Sequence, residues 1–346
     1  MQNILTPLRY PGGKSKALNK ITPFLPKSFR EYREPFLGGG SLFLNIKQKF
    51  PEMICNLNDL NYDLFCFWTT LQNNPNDFIS EIIKIKNNEK NGKILYYKYK
   101  NSLNDDTFYR GIRYYILNRI SFSGTVDSGG YSQEAFEKRF TSSKIFQLYE
   151  ISKLLKNVNI TSNDYTESIK NADNDVFVYL DPPYLSAVKS KLYGKNGDLH
   201  SSFNHFEFSQ KMKDYNFKWL ITLDDTQEIR KMFEYAFINP LDIIYGMDNV
   251  NGKKPKKGRE LIITNYDYKS MNNINIYKNI INQFIKYKYN KARIIIDLPL
   301  KMVKMKLIEI INNKDQYNNI IIYIKNKQLI IERKNKIKNL TLEMVL

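Results

Sequence analysis

The chain has 346 residues, 42% of them hydrophobic and 14% aromatic, with a formal net charge of +18. Such length and apolar content predict a globular protein of two or three structural units and exclude general disorder, while the basic balance points to a nucleic-acid partner. Two cysteines, Cys55 and Cys66, and two histidines, His200 and His205, exclude a disulfide framework and a structural zinc site, so no metal is expected.

No apolar run reaches the roughly eighteen residues needed to span a membrane, and the first residues lack a signal-peptide core. A cytoplasmic protein with no membrane partner is the expectation. Leu8-Arg9-Tyr10-Pro11-Gly12-Gly13-Lys14 predicts a turn that leads into a helix over residues 15–24. Its glycines permit close approach to a ligand, and Lys14 can reach a carboxylate or a phosphate; a plain glycine turn with a solvated lysine is equally open. Tyr32-Arg33-Glu34-Pro35-Phe36-Leu37-Gly38-Gly39-Gly40-Ser41 reads as a strand, a glycine loop and the N-cap, Ser41, of a helix. This is not the GxGxxG fingerprint. The next apolar run, Met53 to Leu57, ends in Asn58-Asp59, about twenty residues on, where an acidic side chain accepts from ribose hydroxyls in Rossmann-like sheets. Together the loop and the acid describe a pocket for an adenosine moiety.

Residues 61–156 are mostly helical in pattern and too long for a crossover, which predicts an inserted domain. Within it, Arg110, Arg113, Asn118 and Arg119, then Lys138 and Arg139, suit phosphate and base-edge contacts, although Ile112, Tyr115, Ile116 and Arg119 also fall at core spacing. Strands are predicted over residues 157–161, 176–180, 219–222, 242–245 and 260–264, with helices over residues 206–215 and 226–235. Strands alternating with helices argue for a mainly parallel sheet covered on both faces.

At the end of the 176–180 run stands Asp181-Pro182-Pro183-Tyr184. Two prolines end strand pairing, so the tetrapeptide is a loop at the carboxyl edge of the sheet, where open α/β sheets bind ligands. An exocyclic amine such as adenine N6 is a poor nucleophile because its lone pair is delocalised. Two acceptors against its N–H groups, the Asp181 carboxylate and the Pro182 carbonyl, would free that lone pair, and Tyr184 offers a stacking face. An Asp-Pro turn beside a packed tyrosine is the bland alternative. Asp164 sits at a strand end and can accept an amino group, and Asp224-Asp225 read as a helix N-cap. Tyr193 to Asp198 reads as a lid, and Lys253, Lys254, Lys256 and Lys257 as a basic segment suited to a DNA backbone. From Met271 onward, 15 Lys and Arg stand against 5 Asp and Glu, so more than half of the net charge lies in a basic extension, residues 270–346. Strands over residues 293–298, 320–324 and 329–332, with a helix over residues 299–312, predict a small β-α-β-β module there.

Arg9-Tyr10-Pro11-Gly12-Gly13-Lys14, Glu34 to Ser41, Asn58-Asp59 and Asp181 to Tyr184, in this order, resemble the motifs of the Dam-type DNA adenine-N6 methyltransferases. Asn118-Arg119 and the following Ser-Gly loop resemble part of that family's target-recognition domain. The resemblance covers residues 4–268. It implies a class I methyltransferase α/β sheet, Rossmann-like, over residues 1–60 and 157–269, with target recognition at 61–156. It also implies S-adenosylmethionine as cofactor and double-stranded DNA as partner, with the target adenine flipped out, and a solitary enzyme or one paired with a restriction endonuclease. By the same resemblance Tyr10 and Lys14 contact the cofactor's methionine end, Glu34, Pro35, Phe36, Gly38 and Gly40 wall the pocket, Asp59 holds the ribose and Asp164 lies near the adenine. Asp181, Pro182, Pro183 and Tyr184 grip the target base, Asp181 also bordering the cofactor. Tyr10 and Pro11 depart from the family's usual tryptophan and alanine. Other readings are an rRNA guanine-N2 methyltransferase, a DNA binder without activity, and a fused nuclease built on Asp297 and Glu332.

Overall fold

The computed structural model describes residues 4–102, 104–186, 203–244, 257–269, 291–295, 320–325 and 328–333. Residues 1–266 form one compact unit and residues 267–346 another.

The first unit is built on seven strands: β1 (Glu31–Glu34), β2 (Ile54–Asn58), β3 (Val158–Thr161), β4 (Val176–Leu180), β5 (Lys218–Asp224), β6 (Phe237–Ile244) and β7 (Lys257–Thr264). Their order is β3-β2-β1-β4-β5-β7-β6, with β7 antiparallel to both neighbours and every other pairing parallel. This mixed α/β sheet matches the class I methyltransferase fold that the sequence led us to expect. Strand order reverses between β1 and β4, so the crossovers leave in opposite directions and open a crevice at the carboxyl ends of those two strands.

β4 shows why the run Val-Phe-Val-Tyr-Leu forms a central strand. All five residues are buried, and they alternate between two cores: Phe177 and Tyr179 enter one, Val176, Val178 and Leu180 the other. A strand covered on both faces needs a continuous apolar run, not alternation with polar residues. The second core is closed by α10 (His205–Asp214) and α11 (Gln227–Met232), through Phe208, Met212 and Ile229.

Before the insertion come α1 (Leu18–Ile21) and α2 (Ser41–Lys49). The helix expected over 15–24 is broken into α1 between two short 3-10 turns, Lys14–Lys16 and Thr22–Phe24, with Pro23 at the start of the second. Six helices then cover the other face: α3 (Tyr62–Asn73), α4 (Pro75–Asn88), α5 (Gly92–Lys100), α6 (Thr107–Ile120), α7 (Gln133–Arg139) and α8 (Ser142–Leu154). Phe67, Tyr115 and Ile145 of this layer share one core with Tyr32, Leu57 and Phe177 of the sheet. The helical segment is therefore a layer packed on the sheet and continuous with it, not a separately cored body. α9 (Tyr165–Ile169) follows β3.

In the second unit, β8 (Lys291–Ile295), β9 (Ile320–Lys325) and β10 (Gln328–Arg333) form an antiparallel sheet of order β8-β10-β9. β9 and β10 take in the strands expected over 320–324 and 329–332, while β8 takes in residues 293–295 of the one expected over 293–298, the rest of which lies outside the described residues. The helix over 299–312 and the Asn326-Lys327 turn lie outside the described residues, as do the Tyr193–Asp198 segment and Lys253, Lys254 and Lys256.

Candidate active site

The crevice holds a cavity of about 280 Å³ lined by the glycine loop, Asp59, Asp164 and the tetrapeptide. Separate stretches of chain meet there, from the amino-terminal turn to the tetrapeptide.

The amino-terminal stretch is a tight turn. Gly13 N–H donates to the Tyr10 carbonyl at 2.9 Å, with Gly12 at φ +70°, where a proline-glycine pair is suited to the two central positions. The turn delivers Lys14 into the protein, where only 5% of it is exposed. Its Nζ donates to Asp181 Oδ1 at 2.8 Å, Oδ2 at 2.7 Å and the Gly12 carbonyl at 2.9 Å, and lies 5.0 Å above the Tyr184 ring. Glu260 of β7, fully buried, stands 4.0 Å from the same ammonium. Asp181 Oδ1 also accepts from Thr222 Oγ at 2.7 Å, and that hydroxyl meets Tyr179 OH at 3.0 Å. The carboxylate is thus held in one orientation at the edge of the cavity, with 21% of its side chain exposed.

The glycine loop turns on Gly38 (φ +48°) and Gly40 (φ +64°), conformations that suit residues without a Cβ. A Cβ on Gly38 would stand 2.8 Å from the Tyr10 ring, so the loop packs directly against that aromatic. Gly40, not Ser41, is the N-cap of α2; Ser41 is the first helical residue and its hydroxyl meets Ser15 Oγ at 2.8 Å. The capping acceptor comes from β1 instead. Glu34, 3% exposed, accepts from Phe43 N–H at 3.1 Å and from Tyr32 OH at 2.7 Å. Burial, with a further contribution from the nearby Asp181 and Asp59 charges, pushes the Glu34 carboxyl up to about 8. It is therefore protonated at neutral pH.

Asp59 accepts from Gly38 N–H at 2.8 Å and from Asn61 N–H at 3.0 Å, and burial raises its pKa to about 6. Beneath it, buried Asn58 ties the pocket's walls together. Its amide donates to the Pro35 and Asn163 carbonyls at 3.1 and 2.9 Å, and its oxygen accepts from Asn163 N–H at 2.9 Å. Asp164 also lines the cavity, but its Oδ1 caps α9 by accepting from Thr166 N–H at 3.0 Å. Phe36 stacks on Tyr165 with ring centres 5.6 Å apart, and Phe203 meets Phe36 edge-on at 5.7 Å. These rings form an apolar wall.

All the residues read from sequence at the cofactor and catalytic positions, namely Tyr10, Lys14, Glu34, Pro35, Phe36, Gly38, Gly40, Asp59, Asp164, Asp181, Pro182, Pro183 and Tyr184, border this one cavity. Thr222, Glu260 and His205 were not found by sequence reasoning. Their partners lie 22 to 246 positions away in the chain, and no local pattern marks such distances. Asp224 and Asp225 are corrected: Thr226 is the N-cap of α11, Asp225 pairs with Arg230 at 2.6 Å, and Asp224 accepts from Leu185 and Ser186 N–H at 3.0 and 2.8 Å.

Asn118 and Arg119 are buried, which corrects their sequence-level assignment as DNA contacts. Asn118 exchanges hydrogen bonds with the Arg9 backbone at 2.9 and 3.0 Å, and Arg119 donates to the Pro7 and Arg139 carbonyls, so both fix the loop against the amino-terminal turn. Arg110 and Arg113 pair with Asp63 of α3 at 2.6 and 2.9 Å, and Arg113 also reaches Asp127 at 3.1 Å. Lys138 and Arg139 are exposed, and Lys257 opens β7. Among the described residues no helix is long and apolar enough to cross a membrane, and no cluster of His, Cys, Asp and Glu could hold a metal ion.

The family model for the D12 class N6 adenine-specific DNA methyltransferases matches residues 10–247. A type II methyltransferase, M.MjaIII, of Methanocaldococcus jannaschii is 29% identical over 287 residues, covering 75% of this chain and 98% of its own. The DNA adenine methylases of Escherichia coli K12 and Vibrio cholerae are each 27% identical, over 74% and 67% of this chain and 93% and 86% of theirs. With the matched span running from the amino-terminal turn past the tetrapeptide, the chain belongs to the D12 class N6 adenine-specific DNA methyltransferases.

Proposed function

We propose that the enzyme takes its methyl group from S-adenosylmethionine and transfers it to N6 of an adenine flipped out of double-stranded DNA. The observation that carries this reading is the tetrapeptide edge. Asp181 is aligned by Lys14 and Thr222 and lines the same cavity as the Gly38–Asp59 contact.

The residues present fit the cofactor. Each Asp59 oxygen already accepts one backbone N–H and keeps a lone pair for a ribose hydroxyl; the desolvated carboxylate, its pKa raised, gains most from such donors. Phe36, Tyr165 and Phe203 suit the flat adenine, and Asp164 its amino group. When bound, the cofactor supplies an electrophilic methyl on a sulfonium. The Asp181 carboxylate at the cavity favours a positively charged centre.

Asp181 and the Pro182 carbonyl accept the two N–H groups of the target amine, and the Tyr184 face stacks on the base. For Asp181 to do so, Lys14 must yield part of its bidentate contact when the amine arrives. The rate then comes from positioning and from acceptors fixed before the base arrives. The N6 group is not accessible to chemistry inside the stack, so the base leaves the duplex first. Lys138, Arg139 and the basic segment at 253–257 suit the phosphate backbone, with the helical layer providing target recognition and the extension from 270 a further basic contact. A cytoplasmic enzyme, either solitary or beside a cognate restriction endonuclease, fits this activity.

Titration calorimetry with S-adenosylmethionine, followed by direct sequencing of DNA exposed to the enzyme, tests the reading. Saturable one-to-one binding that Asp59→Ala weakens, and N6-methyladenine in a single sequence context, are expected. No cofactor binding, or methyl groups on cytosine, would overturn it.

A further inference from the structure

Two consecutive prolines create a problem of support. Neither Pro182 nor Pro183 has an N–H, so this part of the loop cannot be anchored by backbone donors of its own. Anchors must reach its carbonyls, or act further along. Both kinds are found among the described residues. His205, the first residue of α10 and 4% exposed, sets Nε2 2.7 Å from the Pro183 carbonyl oxygen. Asp224, at the end of β5, accepts from Leu185 and Ser186 N–H. The two anchors lie on either side of Tyr184 and come from different elements.

The chemistry of the first anchor is defined. A carbonyl oxygen only accepts, so Nε2 carries the hydrogen. Burial lowers the His205 pKa below its ordinary value, outweighing the Pro183 and Phe203 carbonyls and the Asp224 carboxylate, which favour the charged ring. The imidazole is therefore a neutral donor at neutral pH. Phe203 meets it edge-on, ring centres 4.9 Å apart, which restrains its plane.

We propose that His205 is a positioning residue of the methyl transfer, and that it acts on the direction of the Pro182 carbonyl. The planes carrying the Pro182 and Pro183 oxygens are joined only through φ and ψ of Pro183, and the ring fixes φ. Holding the Pro183 oxygen therefore leaves the Pro182 oxygen one soft torsion, ψ. This inference rests on the reading of that oxygen as an acceptor for the target amine. Asp181 needs no such help, because Lys14 and Thr222 already orient it. The two acceptors are thus oriented by separate sets of residues.

Three substitutions of the full chain separate positioning from bulk support. His205→Gln keeps an N–H near the Nε2 position, His205→Asn moves it toward Nδ1, and His205→Leu removes it. Single-turnover methyl transfer on duplex DNA should fall about tenfold in His205→Asn and His205→Leu and recover most of that loss in His205→Gln. Affinities for S-adenosylmethionine and DNA should stay within about threefold of the parent, since neither is held by this bond. Equal rates in all four proteins would overturn the proposal, as would a loss shared by Gln and Asn in step with cofactor affinity and melting temperature. Should Leu fail to fold, the Gln against Asn difference still decides. Asp181→Ala in the same assay separates the two claims: if it keeps the parental rate, the amine-acceptor reading fails. If it collapses while every His205 variant is fast, only the histidine proposal fails.

Discussion

Two ion clusters in this protein use the same residue types to opposite ends. Around Lys14, one cation faces the Asp181 carboxylate, with Glu260 at 4.0 Å, and the group lines a cavity. Between α3 and α6, one carboxylate, Asp63, is gripped by two cations, Arg110 and Arg113, at 2.6 and 2.9 Å. The first borders open space, with 21% of the Asp181 side chain exposed. The second is closed upon itself, with Arg110 further covered by the Tyr62 ring 5.0 Å away. Charge in a sequence therefore says little until the fold decides whether its partners are internal. A cluster that borders a cavity is placed for chemistry; one enclosed between helices is placed to join them.

The sharpest way to separate the two is through proton binding at the cavity. A carboxyl whose folded pKa is raised stabilises the fold below the unfolded value, and that contribution is lost as pH rises through the folded pKa. Glu34, raised to about 8, should make the parent lose stability by about 1 kcal/mol per pH unit between roughly pH 5 and 8, compared with Glu34→Gln. Asp59, raised to about 6, adds to the slope at its acidic end in both proteins. Denaturant titrations across this range check it; parallel curves would show that Glu34 is not protonated in the fold.

Removing Lys14 should affect rate more than folding. Lys14→Met takes away both contacts to Asp181 and should slow methyl transfer roughly 10²-fold while leaving DNA affinity nearly intact. Single-turnover rates against DNA-binding isotherms would reveal the split. In the closed cluster the split should reverse: Asp63→Ala leaves Arg113 with Asp127 and Arg110 with only the exposed Asp105, and should cost about 2 kcal/mol of stability, less than a fully buried pair because Arg110 is partly exposed. Its rate per folded molecule should stay close to the parent's. The smallest effect is expected at the surface. Lys138, exposed and paired with Glu134 at 3.2 Å, should leave stability unchanged within about 0.5 kcal/mol when replaced by alanine. If it contacts a phosphate, the same change lowers the slope of log affinity against log salt by about 0.9.

The same contrast explains what could be read before folding. Val176–Leu180 was legible to the residue, since a continuous apolar run followed by two prolines admits little besides a buried strand ending in a loop. β6 was read too short. The strand expected over 242–245 took in only the end of β6 (Phe237–Ile244), which is the edge of the sheet, where the missing N–H of Pro240 is tolerated. The glycine loop was recognised, but its cap was misplaced, because the acceptor for Phe43 N–H is Glu34, nine residues upstream on another element. Asn118 and Arg119 misled for a related reason. Polar residues on a helix suggest a surface, and only the folded chain brings Arg9 and Pro7 against them, more than a hundred positions away. Local chemistry was legible; long-range partnership was not.

At the centre of the account stands the Asp181 carboxylate as acceptor for the target amine. Asp181→Ala, saturated with S-adenosylmethionine and duplex DNA and followed through a single turnover, tests it most directly. A rate lower by roughly 10²–10³-fold with both ligands saturating is the expected result. A folded, fully liganded variant that methylates adenine at the parental rate would contradict it.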